Sequence, residues 1–176
     1  MAFQTQSYQK QALGSAGQVS KSFHSFSNTV TGVVADTNVH VGCFVQSKTA
    51  GATDENEVIG ASGAAISGKI LGVVVKDHYI ASANASAVHT YNLGDNVEIL
   101  NAGSVFIKTG VTAKKGQYVF LKTSDGSLVF DNKMVKADHT YTGFIVSKGQ
   151  AEASDGIIEI TTAQAYTVDT VATITQ

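Results

Sequence analysis

The chain has 176 residues, of which 43% are hydrophobic and only 15% charged; that is enough chain to bury a core without a disulfide or metal, with less charge than the ~25% usual for a globular domain. All 12 basic residues are lysine and the formal net charge is -2, so the planar guanidinium that grips phosphate and guanine is missing, which argues against nucleic-acid binding. The single cysteine leaves no internal disulfide, and no run approaches the ~20 apolar residues of a membrane helix. With charge so low, much of the surface is Ser, Thr, Asn, Gln, Gly and Ala. Such a surface suits either broad contact with other protein or an ordinary stable β-protein.

Residues 1–28 are rich in Gln, Ser, Ala and Gly, with Phe3, Tyr8, Leu13, Val19, Phe23 and Phe26 scattered among them. No period of 2 or 3.6 runs through them, so they are read as an extended arm that becomes ordered on a neighbouring surface. The competing reading is a first strand and loops packed on their own domain. The opening MAFQTQSYQK lacks a basic-then-apolar secretory pattern, so synthesis in a cytoplasm is expected.

The compact domain is expected over residues 29–176. Val39, Val41, Cys43 and Val45 alternate with His40, Gly42 and Phe44, the period of a strand with one small apolar face. Cys43 is read as a buried apolar side chain; His40, three positions away, faces the other side of such a strand. Residues 46–56 read as a polar loop, and Asp54, Glu55 and Glu57 lack the spacing of a calcium loop. KILGVVVK, residues 69–76, reads as a buried central strand, with Gly72 marking a bulge or a close backbone approach. Lys69 is followed by Ile70, so no phosphate-binding loop forms there. Residues 79–88 fit either a short helix or an irregular crossing.

Residues 91–130 read as four short strands in two successive hairpins of one design. Gly94-Asp95 and Gly116-Gln117 are read as turns whose polar residue bonds its own backbone. A polar connection over 131–137 leads to a strand at 141–147, a loop at 149–156, and strands at 157–161 and 165–175. The fold expected is mainly β: a small antiparallel barrel or sandwich with an extended N-terminal arm. A proline-free β-protein leaves its strand edges to lysine, bulges or a partner chain, a pointer to a homo-oligomer.

No catalytic, cofactor or metal site is expected. His24, His40, His78, His89 and His139 show no zinc spacing. No Gly-x-Ser-x-Gly elbow exists, and no pair of carboxylates stands out as acid and base.

Three stretches resemble the structural cement, or decoration, proteins of tailed-phage capsids: Met1-Ala-Phe-Gln-Thr with its aromatic-dotted arm; Leu71-Gly-Val-Val-Val-Lys-Asp-His; and Tyr91-x-x-Gly94-Asp95-x-Val97-x-Ile99-Leu100-x-x-Gly103-x-Val105, followed by Lys115-Gly116-Gln117-Tyr118-Val119. The resemblance implies a non-enzymatic virion protein, made in the host cytoplasm and added to the outer surface of the capsid to brace the shell. It implies the major capsid protein as partner, self-association as a dimer or trimer, and no cofactor, nucleic acid or membrane. Candidate contact residues are Phe3, Tyr8, Leu13, Phe23 and Phe26. A tail-tube, baseplate or fibre module is the alternative, and a small ligand-binding barrel comes third.

Overall fold

Ten strands form among the residues that the structure, a computed structural model, describes: 14–20, 27–48, 56–76, 89–134, 136–148 and 156–162. They are β1 (Asn28–Val34), β2 (Phe44–Ser47), β3 (Glu57–Gly60), β4 (Ile70–Val74), β5 (Asn96–Ala102), β6 (Ser104–Thr109), β7 (Tyr118–Lys122), β8 (Leu128–Asp131), β9 (His139–Lys148) and β10 (Gly156–Thr162). Pairing in the order β1-β3-β2-β4-β5 closes a barrel, with β5 returning to β1. The remaining strands make a second sheet, β6-β10-β9-β7-β8. Among the described residues all strand pairings in the two sheets are antiparallel except β1 with β3. The expected barrel is present, and a sheet lies against it.

Two apolar clusters explain why these residues form these strands. Val34, Val45, Val58, Val74, Val97 and Ile99 come from all five barrel strands and meet with Val39, Val41, Cys43 and Tyr91. Side chains from every strand of a closed sheet can meet only inside it, and a lumen this narrow favours valine. The next residues along the same strands, Phe44, Val73 and Leu100, point the other way. They meet Val105, Ile107, Val119, Leu121, Phe144, Val146, Ile158 and Ile160 of the second sheet, with Phe44 and Phe144 edge to face at 5.8 Å. β2, β4 and β5 are therefore buried on both faces, which is what the unbroken apolar run KILGVVVK requires. Gly72 serves both purposes read for it. The β2–β4 register shifts beside it, and a Cβ there would overlap the carbonyl oxygen of Leu100 on β5.

Two expectations are corrected. The four strands of residues 91–130 are present, but only β7 and β8 form a hairpin. β5 pairs with β1 and β4 in the barrel, while β6 pairs with β10 in the sheet. Gly103 is the crossing point; its N–H donates to Thr162 Oγ1 (3.1 Å) and its carbonyl accepts from Thr162 N (2.9 Å). Alternation fixes which face a side chain takes but not which strand lies alongside. Likewise Val39, Val41, Cys43 and Val45 do share the lumen, but the chain becomes strand only at Phe44.

The reason is a turn at His40–Cys43, one of four built alike. In Ser15–Gln18, His40–Cys43, Asn92–Asp95 and Lys114–Gln117 the fourth residue's N–H donates to the first residue's carbonyl, at 3.0–3.2 Å. The fourth side chain accepts the first residue's N–H, at 3.2, 3.3, 2.8 and 2.7 Å in that order. The third residue is glycine with φ between 75° and 88°, as a type II turn demands. Each of these glycine N–H groups donates at 2.8 Å to a neighbouring element, at Phe106, Val74, Val34 and Val146. Asp95 and Gln117 thus bond their own backbone as read from the sequence. In the second turn the acceptor is the sulfur of Cys43.

The barrel and sheet are also joined through residues 61–69. Gln46, fully buried on β2, donates Nε2 to Ala65 O (3.0 Å) and accepts from Ser67 N (2.9 Å) and Gly68 N (2.8 Å) at Oε1. On its other side this loop meets the β7–β8 turn, with Gly63 N to Asp125 O at 2.9 Å and Ile66 N to Thr123 O at 2.8 Å. Gly126 fits because a Cβ there would overlap Ala61 O.

Residues 14–20, inside the stretch read as an arm, lie along β6. Val19 bridges to Val105 antiparallel, Gly17 N donates to Phe106 O (2.8 Å), Phe106 N to Gln18 O (3.0 Å) and Ser20 N to Ser104 O (2.8 Å). Lys76 N, just beyond β4, donates to Gly17 O (2.8 Å), so this short piece touches sheet and barrel together.

Candidate functional site

Cys43, Asp125 and Asp131 build turns. Cys43 is 5% exposed, and burial pushes its thiol up to about 11, so it stays protonated at neutral pH. Its sulfur meets the backbone N–H of His40, whose ring Nδ1 lies 3.3 Å from Asn38 O. Asp125 accepts Ser127 Oγ (2.7 Å) and Ser127 N (3.0 Å) at Oδ1, with Lys122 Nζ 3.3 Å from Oδ2. Those hydroxyl and backbone bonds hold its carboxyl down to about 2. Asp131 is lowered in the same way by Lys133 N and Lys136 Nζ. Among the described residues no three His, Cys, Asp or Glu gather into a metal-binding group.

Surface is what remains. Phe3, Tyr8, Leu13, Phe23 and Phe26 lie outside the described residues, as do His24 and His78. Val30, Leu93, Val111 and Met134 are the large apolar side chains most open to solvent among the described residues. Charge is divided unevenly. Residues 103–148 and 156–162 carry seven described lysines against four carboxylates, while the barrel carries three against four. The lysine-rich half therefore offers a mildly positive surface.

The outer face of the second sheet is the surface that the sequence reading missed. Val105, Ile107, Val119 and Leu121 point to the core, so the strand period turns Phe106, Tyr118 and Phe120 outward. Tyr141 pairs with Phe120, and Ile145 with Tyr118. Tyr141 packs against Tyr118 at 5.7 Å and Phe120 at 5.5 Å between ring centroids. The signal was present in YVFLK: both phases of the alternation are apolar, which marks a strand covered on both sides.

Comparison with known proteins decides the class. The sequence matches the family described as structural cement protein (E217 gp24/Pam3 gp6) over residues 3–163. The chain belongs to that family. This cement protein is thus a structural component of a phage capsid, and its family associates with the capsid lattice. Among solved structures, a chain from the capsid of Myoviridae phage XM1 is similar, with a TM-score of 0.57 and 16% identity over 93% of this chain and 99% of that one. At that identity the likeness is one of fold. No curated protein matches the sequence.

Proposed function

We propose that this cement protein binds the outer surface of the major capsid protein lattice, where several subunits meet, and stiffens the shell without catalysing a reaction. The observation that carries the reading is the family match, which runs from residue 3 to residue 163 and so takes in the N-terminal stretch as well as the folded body. In this reading residues 1–28 act as the arm and residues 29–176 as the domain. Phe3, Tyr8, Leu13, Phe23 and Phe26 contribute contacts to capsid subunits or to neighbouring copies, and copies associate as a dimer or trimer. Weak contacts repeated by symmetry then add to a firm hold. The low charge content and the formal net charge of -2 fit protein–protein contact better than nucleic-acid or membrane binding.

The test uses shells assembled without the protein, to which the purified full chain is added. Electron microscopy should show new density on the outer face at repeated positions, and the shells should withstand heating or osmotic shock better than undecorated ones. Density confined to the tail or the shell's interior, or no change in shell stability on binding, refutes the proposal.

A further inference from the structure

The second sheet is buried on two faces, and only its inner face meets the barrel. On the outer face Phe120 is 1% exposed, Glu159 2% and Phe106 7%, with Tyr118, Tyr141 and Ile145 half-buried beside them. A sheet face that meets water normally turns polar residues to it; here Phe106, Tyr118, Phe120, Tyr141 and Ile145 share the face with Lys108, Glu159 and Thr161. Two polar atoms there, Tyr141 Oη and Glu159 Oε2, are buried without a hydrogen bond among the described residues. Lys148 Nζ stands 3.3 Å from Glu159 Oε2, close enough for charge attraction but not aligned as a hydrogen bond. Burial pushes the Tyr141 phenol up, so it keeps a proton to donate. Buried donors of this kind are normally matched.

The described chain also meets this face at Gly14. Gly14 sits on the ring of Phe106, so close that a Cβ there would be 2.5 Å from Phe106 Cδ2. Gly14 is therefore on the outer side, beside Phe106. Four inter-strand steps separate β6 from β8, roughly 19 Å. Thirteen residues can reach up to roughly 43 Å, more than the width of the sheet. Their sequence, MAFQTQSYQKQAL, has one charged side chain, three large apolar or aromatic residues after the methionine, and four glutamines whose amides can pair with a phenol.

We propose that in the free subunit residues 1–13 of the same chain lie across the outer face of the second sheet, as a third layer over Phe106, Tyr118, Phe120 and Tyr141. The segment is then stored on its own body. This concerns the free subunit and does not depend on the capsid reading.

A photo-reactive benzoylphenylalanine at position 8 of the full chain tests it, in an equal mixture of unlabelled and nitrogen-15 subunits. Irradiation should join position 8 to peptides containing residues 118–122 or 139–148, with both ends of one isotope. Mixed-isotope products would mean that a second copy supplies the segment and would overturn the proposal, as would cross-links to other regions or none at all. A second readout uses Tyr118→Trp in the full chain, which has no other tryptophan. Adding Phe3→Ala, Tyr8→Ala and Leu13→Ala together should raise acrylamide quenching of that tryptophan at least twofold; an unchanged value is the contrary result. Shell binding is measured separately on the same proteins. A subunit that cross-links as expected but ignores shells leaves this proposal standing and removes the other.

Discussion

Replacing Gln46 by leucine removes the staple between β2 and the loop at residues 61–69 while leaving the volume nearly unchanged. Three groups lose their partner: the N–H of Ser67, the N–H of Gly68 and the carbonyl of Ala65. A buried group left unpaired costs about 1–3 kcal/mol. Ser67 and Ala65 are themselves exposed, so water can recover part of the loss, and the leucine side chain adds favourable burial. The net expectation is a loss of about 3 kcal/mol, or a fall in Tm of roughly 6–12 °C at this chain length. Guanidinium titration of wild type and variant, followed by far-ultraviolet circular dichroism, gives the difference. A loss below about 1 kcal/mol would mean that the loop holds itself in place, and the staple argument fails. Gln46→Glu adds a check on sign. At neutral pH the buried carboxylate can accept both N–H groups but cannot donate to Ala65, and burial raises its pKa above that in the unfolded chain. Its protonated form restores the donor, so this variant should recover stability relative to wild type as pH falls towards 4.

The other predictions are shorter. Gly126→Ala drives a Cβ into Ala61 O at φ 66°, whereas Gly116→Ala meets no atom within 4 Å at φ 88°; the first should cost several-fold more stability than the second, which should stay near 1 kcal/mol, and equal losses in urea titrations would refute the close approach. Gly72→Ala should separate β4 from β5 and speed hydrogen exchange at Val75, whose N–H donates to Glu98 O across that seam (2.9 Å); unchanged protection is the contrary result. The Asp125 carboxyl should titrate near 2 by NMR. Because that is below its unfolded value, its contribution to stability is complete above about pH 4 and is lost as pH falls towards 2, and Asp125→Asn should abolish that part of the acid dependence. Cys43 should react with a disulfide reagent only as the protein unfolds, given its burial and its thiol pushed up to about 11; rapid native-state labelling would show an open thiol.

How much could be read in advance varied with the kind of signal. KILGVVVK announced a strand covered on both sides because burial on two faces leaves no polar phase in the alternation. The strands at residues 96–102, 104–109, 118–122 and 128–131 were visible as period-two runs between turn residues. The pairing of the first two was not visible, because Gly103 closes a tight turn and permits a change of sheet equally well. His40–Cys43 hid as a strand because a sulfur stood where its sister turns carry Asp or Gln. Gln46 gave no sign at all; one glutamine in QSKTAG reads as loop until the carbonyl and N–H groups it bonds are known. The family likeness was legible in the glycine-punctuated segments, and the match over residues 3–163 confirms it. The outer aromatic face was legible in YVFLK and was passed over because Tyr118 and Phe120 were read only as strand formers.

A single residue, Gly103, carries the polypeptide from the last strand of the barrel to the first strand of the sheet, and shared side chains fill the joint on either side. The two halves therefore have no hinge. Torque applied to one half must pass to the other through the packed core that Phe44, Val73 and Leu100 share with the second sheet. A spacer that swivelled would absorb a swelling container's strain in its own joint; in the proposed role, this one would hand the strain on.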